Sequence, residues 1–213
     1  MKSRKNLLRR SHLYLILNKQ NRSSRSLENI CSDLSSERIG LIQLRDKVNT
    51  KKEVLNFSLK LSKYFTKSKT LFIINDYVDV ALASKADGVH LGQSDTSVKV
   101  ARKILGKSRI IGVSCHSLAQ GLKAQKEGAD YIGIGPVYAT ATKPEYKAIG
   151  LKTLRRLKNR IKIPYFAIGD IHQGNIESII ASGATRIAVC RAVLKAKDPK
   201  MAAMQLNRSL KKK

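Results

Sequence analysis

Two carboxylates and three basic residues are the side chains in this sequence best suited to chemistry. Asp76 and Asp95 come after short apolar runs, as do Arg45, Lys47 and Lys143. Mg²⁺ in proteins takes one or two carboxylates together with substrate phosphate oxygens, and Arg and Lys neutralise the remaining phosphate charge. The set predicts a Mg²⁺ site at the two aspartates and a diphosphate substrate. Taken singly, each aspartate could equally cap the helix that follows it.

The apolar runs are the elements that must position these side chains. They are continuous rather than alternating, which is typical of strands buried on both faces of a parallel sheet. Eight such runs occur, at residues 13–17, 39–45, 71–75, 88–92, 110–115, 131–136, 164–169 and 186–190. Segments that we expect to be helical lie between them, at residues 49–67, 97–105, 117–127, 150–160 and 176–182. Eight strands alternating with helices predict an α/β protein, a single (β/α)₈ TIM barrel.

Polar residues concentrate where these predicted strands end. In such a barrel the carboxyl ends of all eight strands open on one face, where functional groups gather. Besides the charged residues above, the predicted ends carry Gln43, Asn75, Ser114, His116, Thr140, Thr142, Asp170, Cys190 and Arg191. The fold would therefore bring amides, hydroxyls and charges together around one site.

The histidines and cysteines give weaker signals. His90 lies inside an apolar run, which favours a buried, hydrogen-bonded histidine over a ligand, whereas His116 near a strand end is ambiguous. Cys115 could be a thiol nucleophile, but no Cys-His-acid order accompanies it, so we reject that role. The three cysteines form no CxxC pair, so neither disulfides nor zinc are indicated and a reducing compartment is expected.

The length of 213 residues favours one domain over 1–213. We expect a basic N-terminal extension over 1–12 and a basic tail over 208–213, the latter disordered. No window approaches the roughly 20 apolar residues of a membrane span, and the run at 13–17 is too short for a secretory signal. A cytoplasmic, soluble protein is therefore expected.

Six motifs occur in an order that resembles one enzyme family. They are QLRDK, INDYVDVAL, GVHLGQSD, IGVSCHS, GADYIGIGPVYATATKP and FAIGD, within residues 39–193. Together they resemble thiamine phosphate synthase. That family joins 4-amino-2-methyl-5-pyrimidinylmethyl diphosphate to a thiazole phosphate and releases pyrophosphate. The resemblance implies a transferase on a TIM barrel that uses Mg²⁺ and small-molecule substrates.

The resemblance also implies a role for each matching residue. The residues implied to contact the pyrimidine are Gln43 and Asn75. Those implied to hold the diphosphate and act in catalysis are Arg45, Lys47, Ser114 and Lys143. Asp76 and Asp95 would carry Mg²⁺. The thiazole phosphate would be received by Thr140, Thr142, Gly169 and the amides near Val189 and Cys190.

Two positions depart from the family pattern. Gly169-Asp170 stands where the family usually has Gly-Gly, which brings a carboxylate close to an expected phosphate. Arg191 stands where the family often has a serine. We hypothesise that Arg191 pairs with Asp170 or contacts the phosphate directly; alternatively, the acceptor substrate differs.

Two other functions are weighed against the synthase. A thiazole tautomerase would resemble this chain and use His116 as acid or base, but it commonly lacks the full diphosphate and Mg²⁺ set. A nucleic-acid-binding barrel is suggested by the formal charge of +27, from 42 Lys and Arg against 15 Asp and Glu. The basic residues are scattered, and the chain has no Trp for a stacking platform. We therefore expect no specific nucleic-acid partner and leave a homo-oligomer open.

Overall fold

A computed structural model of the chain describes residues 3–21, 25–37, 39–66, 68–142 and 145–211. Eight parallel strands form a closed barrel in sequence order, and each strand pairs with its neighbours along the chain. The strands are β1 Leu13–Leu17, β2 Leu41–Leu44, β3 Leu71–Asn75, β4 Gly88–Leu91, β5 Ile110–Cys115, β6 Tyr131–Ile134, β7 Tyr165–Ile168 and β8 Ile187–Val189. The predicted (β/α)₈ TIM barrel is confirmed.

Helices cover the outside of this barrel. They are α1 Arg4–Arg9, α2 Leu27–Ser35, α3 Lys51–Phe65, α4 Val78–Ala83, α5 Val98–Leu105, α6 Leu118–Lys126, α7 Gly150–Leu157, α8 Ile176–Ala181, α9 Arg191–Leu194 and α10 Pro199–Ser209. The five predicted helical segments correspond to α3, α5, α6, α7 and α8. None of the described helices is long and apolar enough to cross a membrane.

Local sequence explains where several helices begin and end. Thr50 and Glu53 form a capping box at the start of α3. At α6, the Ser117 hydroxyl oxygen accepts a hydrogen bond from the N–H of Gln120, while the side-chain oxygen of Gln120 accepts one from the N–H of His116. Gly128 and Gly183 adopt φ of +92° and +93° just after α6 and α8, a conformation that glycine takes at no steric cost.

Apolar side chains pack in two layers. The larger layer lies between the strands and the helices, and the smaller one fills the barrel interior. Leu8 of α1 belongs to the interior layer and is only 2% exposed, so it closes the amino end of the barrel. Arg4 and Lys5 hold α1 there through ion pairs with Asp87 at 2.6 Å and Asp130 at 2.9 Å.

The predicted N-terminal extension and C-terminal tail each overlap a helix. Residues 4–9 of the basic extension form α1, and residues 208 and 209 of the basic tail lie in α10. The division of 1–213 into one domain with an extension and a disordered tail remains a prediction.

Candidate active site

A pocket opens at the carboxyl end of the barrel. Its empty volume is about 960 Å³, including the part that is open to solvent. Nine of the predicted site residues line it, namely Gln43, Arg45, Asn75, Ser114, Thr140, Thr142, Gly169, Val189 and Cys190. As expected for residues at strand ends, these side chains lie together in the fold although they are far apart in the sequence.

Three other predicted site residues, Lys47, Asp76 and Asp95, lie outside this lining. Lys47 pairs with Asp76 after the ends of β2 and β3. Asp95 follows β4 and accepts a hydrogen bond from the N–H of Gly92 at 2.6 Å. Lys143 lies outside the described residues, so its predicted role stays a prediction.

Asp76 and Asp95 form an interacting pair of carboxyl groups. Asp76 adopts a left-handed backbone, with φ of 63°, and its N–H donates to the carbonyl of His90 at 2.8 Å. Burial raises the pKa of Asp76, and the nearby Asp95 raises it further, although Lys47 acts in the opposite direction. Neither aspartate is an N-cap, since Tyr77 precedes α4 and Ser97 caps α5. The capping alternative is therefore excluded for both.

The pair fits a Mg²⁺ ion that completes its coordination with a substrate. No group of three or more metal-binding side chains occurs among the residues the structure describes. Mg²⁺ does not need such a cage, because it is usually held by one or two carboxylates plus waters and substrate phosphates. Burial is the main cause of the raised pKa of Asp76, and a cation held by these carboxylates would offset the further increase caused by Asp95.

A chain of buried hydrogen bonds forms the floor of the pocket. The side-chain amide of Gln43 donates to the Tyr14 hydroxyl, which lies 2.9 Å from the Tyr131 hydroxyl. Tyr131 in turn lies 3.1 Å from Nδ1 of His90, and Nε2 of His90 lies 3.0 Å from Oγ of Ser114. His90 is thus buried and hydrogen-bonded, as predicted. The two tyrosines were missed, although a polar hydroxyl inside the runs LYLIL and YIGIG was a usable signal.

The segment after β6 forms one wall of the pocket. The Thr140 hydroxyl oxygen accepts from the N–H of Thr142 at 3.3 Å, which leaves the hydroxyl proton of Thr140 available to a ligand. His116 is held by its Nδ1, 2.6 Å from the carbonyl oxygen of Gly135. Its ring stacks on Tyr146, with centroids 4.0 Å apart.

The ends of β7 and β8 form the adjacent part of the wall and contain both departures from the family pattern. Gly169 has φ of +116°, and a Cβ there would lie 2.6 Å from Pro136, so only glycine fits. Asp170 also has positive φ, at 45°. Its carboxylate accepts a hydrogen bond from Arg191 at 2.5 Å, which confirms the hypothesised pair.

The cysteines near the pocket are poor nucleophiles. Burial raises the pKa of Cys115 to about 12. Burial also raises the pKa of Cys190 to about 11, although Arg45, Arg191 and Lys195 act to lower it. The thiolate is the reactive form of cysteine, so both thiols are inert near neutral pH.

Comparisons with known proteins identify the family of this chain. Residues 13–193 match a family model described as thiamine monophosphate synthase. A thiamine-phosphate synthase of Prochlorococcus marinus (strain MIT 9313) is 41% identical over 99% of this chain, which spans 60% of that relative's length. One of Shouchella clausii (strain KSM-K16) is 38% identical over 91% of the chain and 93% of its own length.

Among solved structures, the barrel is similar to a thiamine phosphate pyrophosphorylase from Pyrococcus furiosus. The TM-score is 0.85 at 35% identity, and the match covers 97% of both chains. The matched family segment includes all eight strands and every predicted site residue. This chain belongs to the thiamine monophosphate synthase family.

Proposed function

We propose that this protein transfers a pyrimidinylmethyl group from its diphosphate to the nitrogen of a thiazole phosphate. The products are thiamine phosphate and pyrophosphate. The observation that carries this proposal is the joint arrangement of one pocket lined by amides, hydroxyls and Arg45, with the interacting Asp76 and Asp95 nearby. That combination suits two phosphorylated substrates, one of which needs a divalent cation.

The donor would bind on the side of β2 to β5. The Gln43 amide nitrogen is engaged by Tyr14, which leaves its carbonyl oxygen to accept from the amino group of the pyrimidine. Asn75 would contact the same ring, while Arg45, Lys47, Ser114 and Lys143 would hold the diphosphate. Asp76 and Asp95 would hold Mg²⁺, which supplies charge neutralisation at the leaving diphosphate.

The acceptor would bind on the side of β6 to β8. Its phosphate would meet Thr140, Thr142, Gly169 and the backbone near Val189 and Cys190, all of which line the pocket. In the reaction the C–O bond to the diphosphate breaks, and pyrophosphate leaves with the bonding electrons. The electron-rich aminopyrimidine stabilises the resulting methylene cation, and the thiazole nitrogen forms the new C–N bond. The protein aligns the reactants and stabilises the leaving group, without a covalent intermediate.

Product formation tests this proposal directly. The purified protein is mixed with the pyrimidine diphosphate, the thiazole phosphate and Mg²⁺, and thiamine phosphate is followed as fluorescent thiochrome. We expect product that disappears with EDTA and with Asp95→Ala. As a matched control, Asp79→Ala removes an aspartate from the exposed ion pair with Lys51 and should leave the rate unchanged.

Folded protein that yields no product would contradict the proposal. Thiazole tautomerisation is the next assay in that case, with His116→Ala as the variant. A tautomerase would need neither Mg²⁺ nor the pyrimidine diphosphate.

The three free cysteines support a reducing compartment such as the cytoplasm.

A further inference from the structure

In the buried hydrogen-bond chain on the pocket floor, each group donates to the next one. Gln43, the first member, determines which atom is the donor and which is the acceptor in every later hydrogen bond. The chain joins Gln43, Tyr14, Tyr131, His90 and Ser114, which come from β2, β1, β6, β4 and β5. Gln43 is 2% exposed, Tyr14 1% and Tyr131 fully buried. Each proton in this chain must therefore find an acceptor within the protein, because an unpaired buried donor costs about 1–3 kcal/mol.

Each of the two tyrosine hydroxyls accepts a hydrogen bond from the preceding group and donates one to the next. The Tyr14 oxygen accepts from the amide N–H of Gln43, so the hydroxyl proton of Tyr14 is directed to its other partner, Tyr131. The Tyr131 oxygen then accepts from Tyr14, and its own proton is directed to Nδ1 of His90. Each hydroxyl accepts one hydrogen bond and donates one.

The histidine tautomer follows from this order. Since Nδ1 of His90 accepts from Tyr131, the neutral ring carries its proton on Nε2. Nε2 donates to the oxygen of Ser114, which lines the pocket. The hydroxyl proton of Ser114 is then left to point away from His90, toward a ligand.

We propose that Tyr14, Tyr131 and His90 are positioning residues that turn the Ser114 hydroxyl into a hydrogen-bond donor aimed into the pocket. This inference deepens the proposed function and rests on it for the identity of the ligand, the leaving diphosphate. A donor with a fixed orientation needs no reorganisation as negative charge builds up on the diphosphate oxygens. If Ser114 donated its proton to His90 instead, only an oxygen lone pair would face the anion, and the lone pair and the anion would repel each other.

The His90 tautomer in the substrate-free protein is the first test. Long-range ¹⁵N–¹H correlation spectra of the ¹⁵N-labelled full chain report which ring nitrogen carries the proton. Signals are assigned by replacing His12, His116 and His172 with Gln one at a time, which leaves the buried chain intact. We expect a proton on Nε2 and none on Nδ1. A proton on Nδ1, alone or as part of an imidazolium, would overturn the inference whether or not the protein makes thiamine phosphate.

The second test shows whether the tyrosines act through Ser114. Tyr14→Phe removes the hydroxyl that links Gln43 to Tyr131, and we expect kcat to fall about 10- to 100-fold with KM within about threefold. The double variant Tyr14→Phe/Ser114→Ala should be no slower than Ser114→Ala alone. Additive losses, or an unchanged kcat in Tyr14→Phe, would overturn the inference.

A matched control separates this effect from the loss of any tyrosine hydroxyl. Tyr165 also lies on a strand, but its hydroxyl donates to the carbonyl of Gly183 at 3.3 Å, outside the pocket. Tyr165→Phe should keep both kcat and the His90 tautomer. If Tyr14→Phe fails to fold, Tyr131→Phe and the spectrum of the unaltered protein still decide the question.

Discussion

Arg191 donates a hydrogen bond to Asp170 across the ends of β8 and β7, with 2.5 Å between Nη2 and Oδ1. The pair neutralises a carboxylate that would otherwise repel a phosphate in the pocket that both residues line. The left-handed backbone of Asp170 explains how an aspartate can stand where the family usually has a second glycine. Asp is among the few residues other than glycine that tolerate this conformation.

Replacing Arg191 tests whether the pair serves the acceptor site. Arg191→Ser leaves Asp170 uncompensated, and we expect the KM for thiazole phosphate to rise about tenfold, which corresponds to about 1.4 kcal/mol. The KM for the pyrimidine diphosphate should stay within about twofold. Steady-state kinetics with each substrate varied in turn measures both values.

The control for Arg191→Ser is the double variant Asp170→Gly/Arg191→Ser. It removes the carboxylate together with its partner, and glycine readily adopts the positive φ of this position. We expect the double variant to recover most of the lost affinity. An unchanged KM for thiazole phosphate in Arg191→Ser would contradict the inference that the pair protects the acceptor site.

Asp76→Asn should stabilise the protein while removing activity. The raised pKa of Asp76 means that its ionised form is disfavoured in the folded protein, by burial first and then by Asp95. Asn keeps the size of the side chain and tolerates the left-handed backbone of this position. We expect a higher Tm in thermal unfolding with EDTA, and an unchanged or lower Tm would contradict this expectation.

Mg²⁺ provides the complementary measurement on the same two proteins. An ion that binds only the folded state raises Tm, so Mg²⁺ should stabilise the unaltered protein and leave Asp76→Asn unchanged. An equal shift in both proteins would mean that the ion binds elsewhere.

Leu8→Ala tests the closure of the barrel by α1. Leu8 is 2% exposed and packs in the interior layer, so truncation leaves a cavity, and we expect a loss of about 2–4 kcal/mol of unfolding free energy. Urea unfolding measures this loss. Leu82→Ala is the matched control, because Leu82 also lies on a helix but is 41% exposed, and it should cost less than about 0.5 kcal/mol. Equal losses in both variants would show that α1 does not close the barrel.

The buried thiols predict a loss of stability at alkaline pH. The pKa of Cys190 rises from an ordinary value of 9.0 to about 11 in the folded protein. Above pH 9 the unfolded chain therefore releases this proton while the folded chain keeps it, and the free energy of unfolding falls until about pH 11. Denaturant unfolding at pH 9, 10 and 11 should show a smaller fall for Cys190→Ala than for the unaltered chain. Identical slopes would contradict the assignment.

The sequence predicted the strands well because each is a continuous apolar run bounded by polar or glycine residues. β1, β3 and β5 have the predicted bounds, and the others are shorter by one to three residues. Five described helices were not predicted. α1, α4 and α9 have four to six residues, too few to show a helical period, whereas α2 and α10 have nine and eleven and were missed despite their length. Their stability comes from tertiary contacts, such as the Leu8 closure of the barrel.

Nine of the thirteen predicted site residues line one pocket, because the strand-end rule depends on topology alone, whereas Lys47, Asp76 and Asp95 lie outside its lining. What stayed hidden was the buried connection between them. Tyr14 and Tyr131 are 117 positions apart and look like ordinary strand residues. Only the closed barrel shows that their hydroxyls meet. Likewise, the left-handed backbone of Asp76 was not predicted, whereas the family glycine at the position of Asp170 was a usable signal for positive φ there.

Asp76 and Asp170 follow β3 and β7, which lie on opposite sides of the closed barrel, and each holds a cation from a neighbouring strand end. Each of these two pairs is neutral, so neither contributes to the formal charge of +27, which comes from other basic residues of the chain. Such a field attracts anions from a distance and raises encounter rates, but it does not distinguish one anion from another. Binding of the substrates should thus weaken with ionic strength, while discrimination between them depends on the side chains that line the pocket.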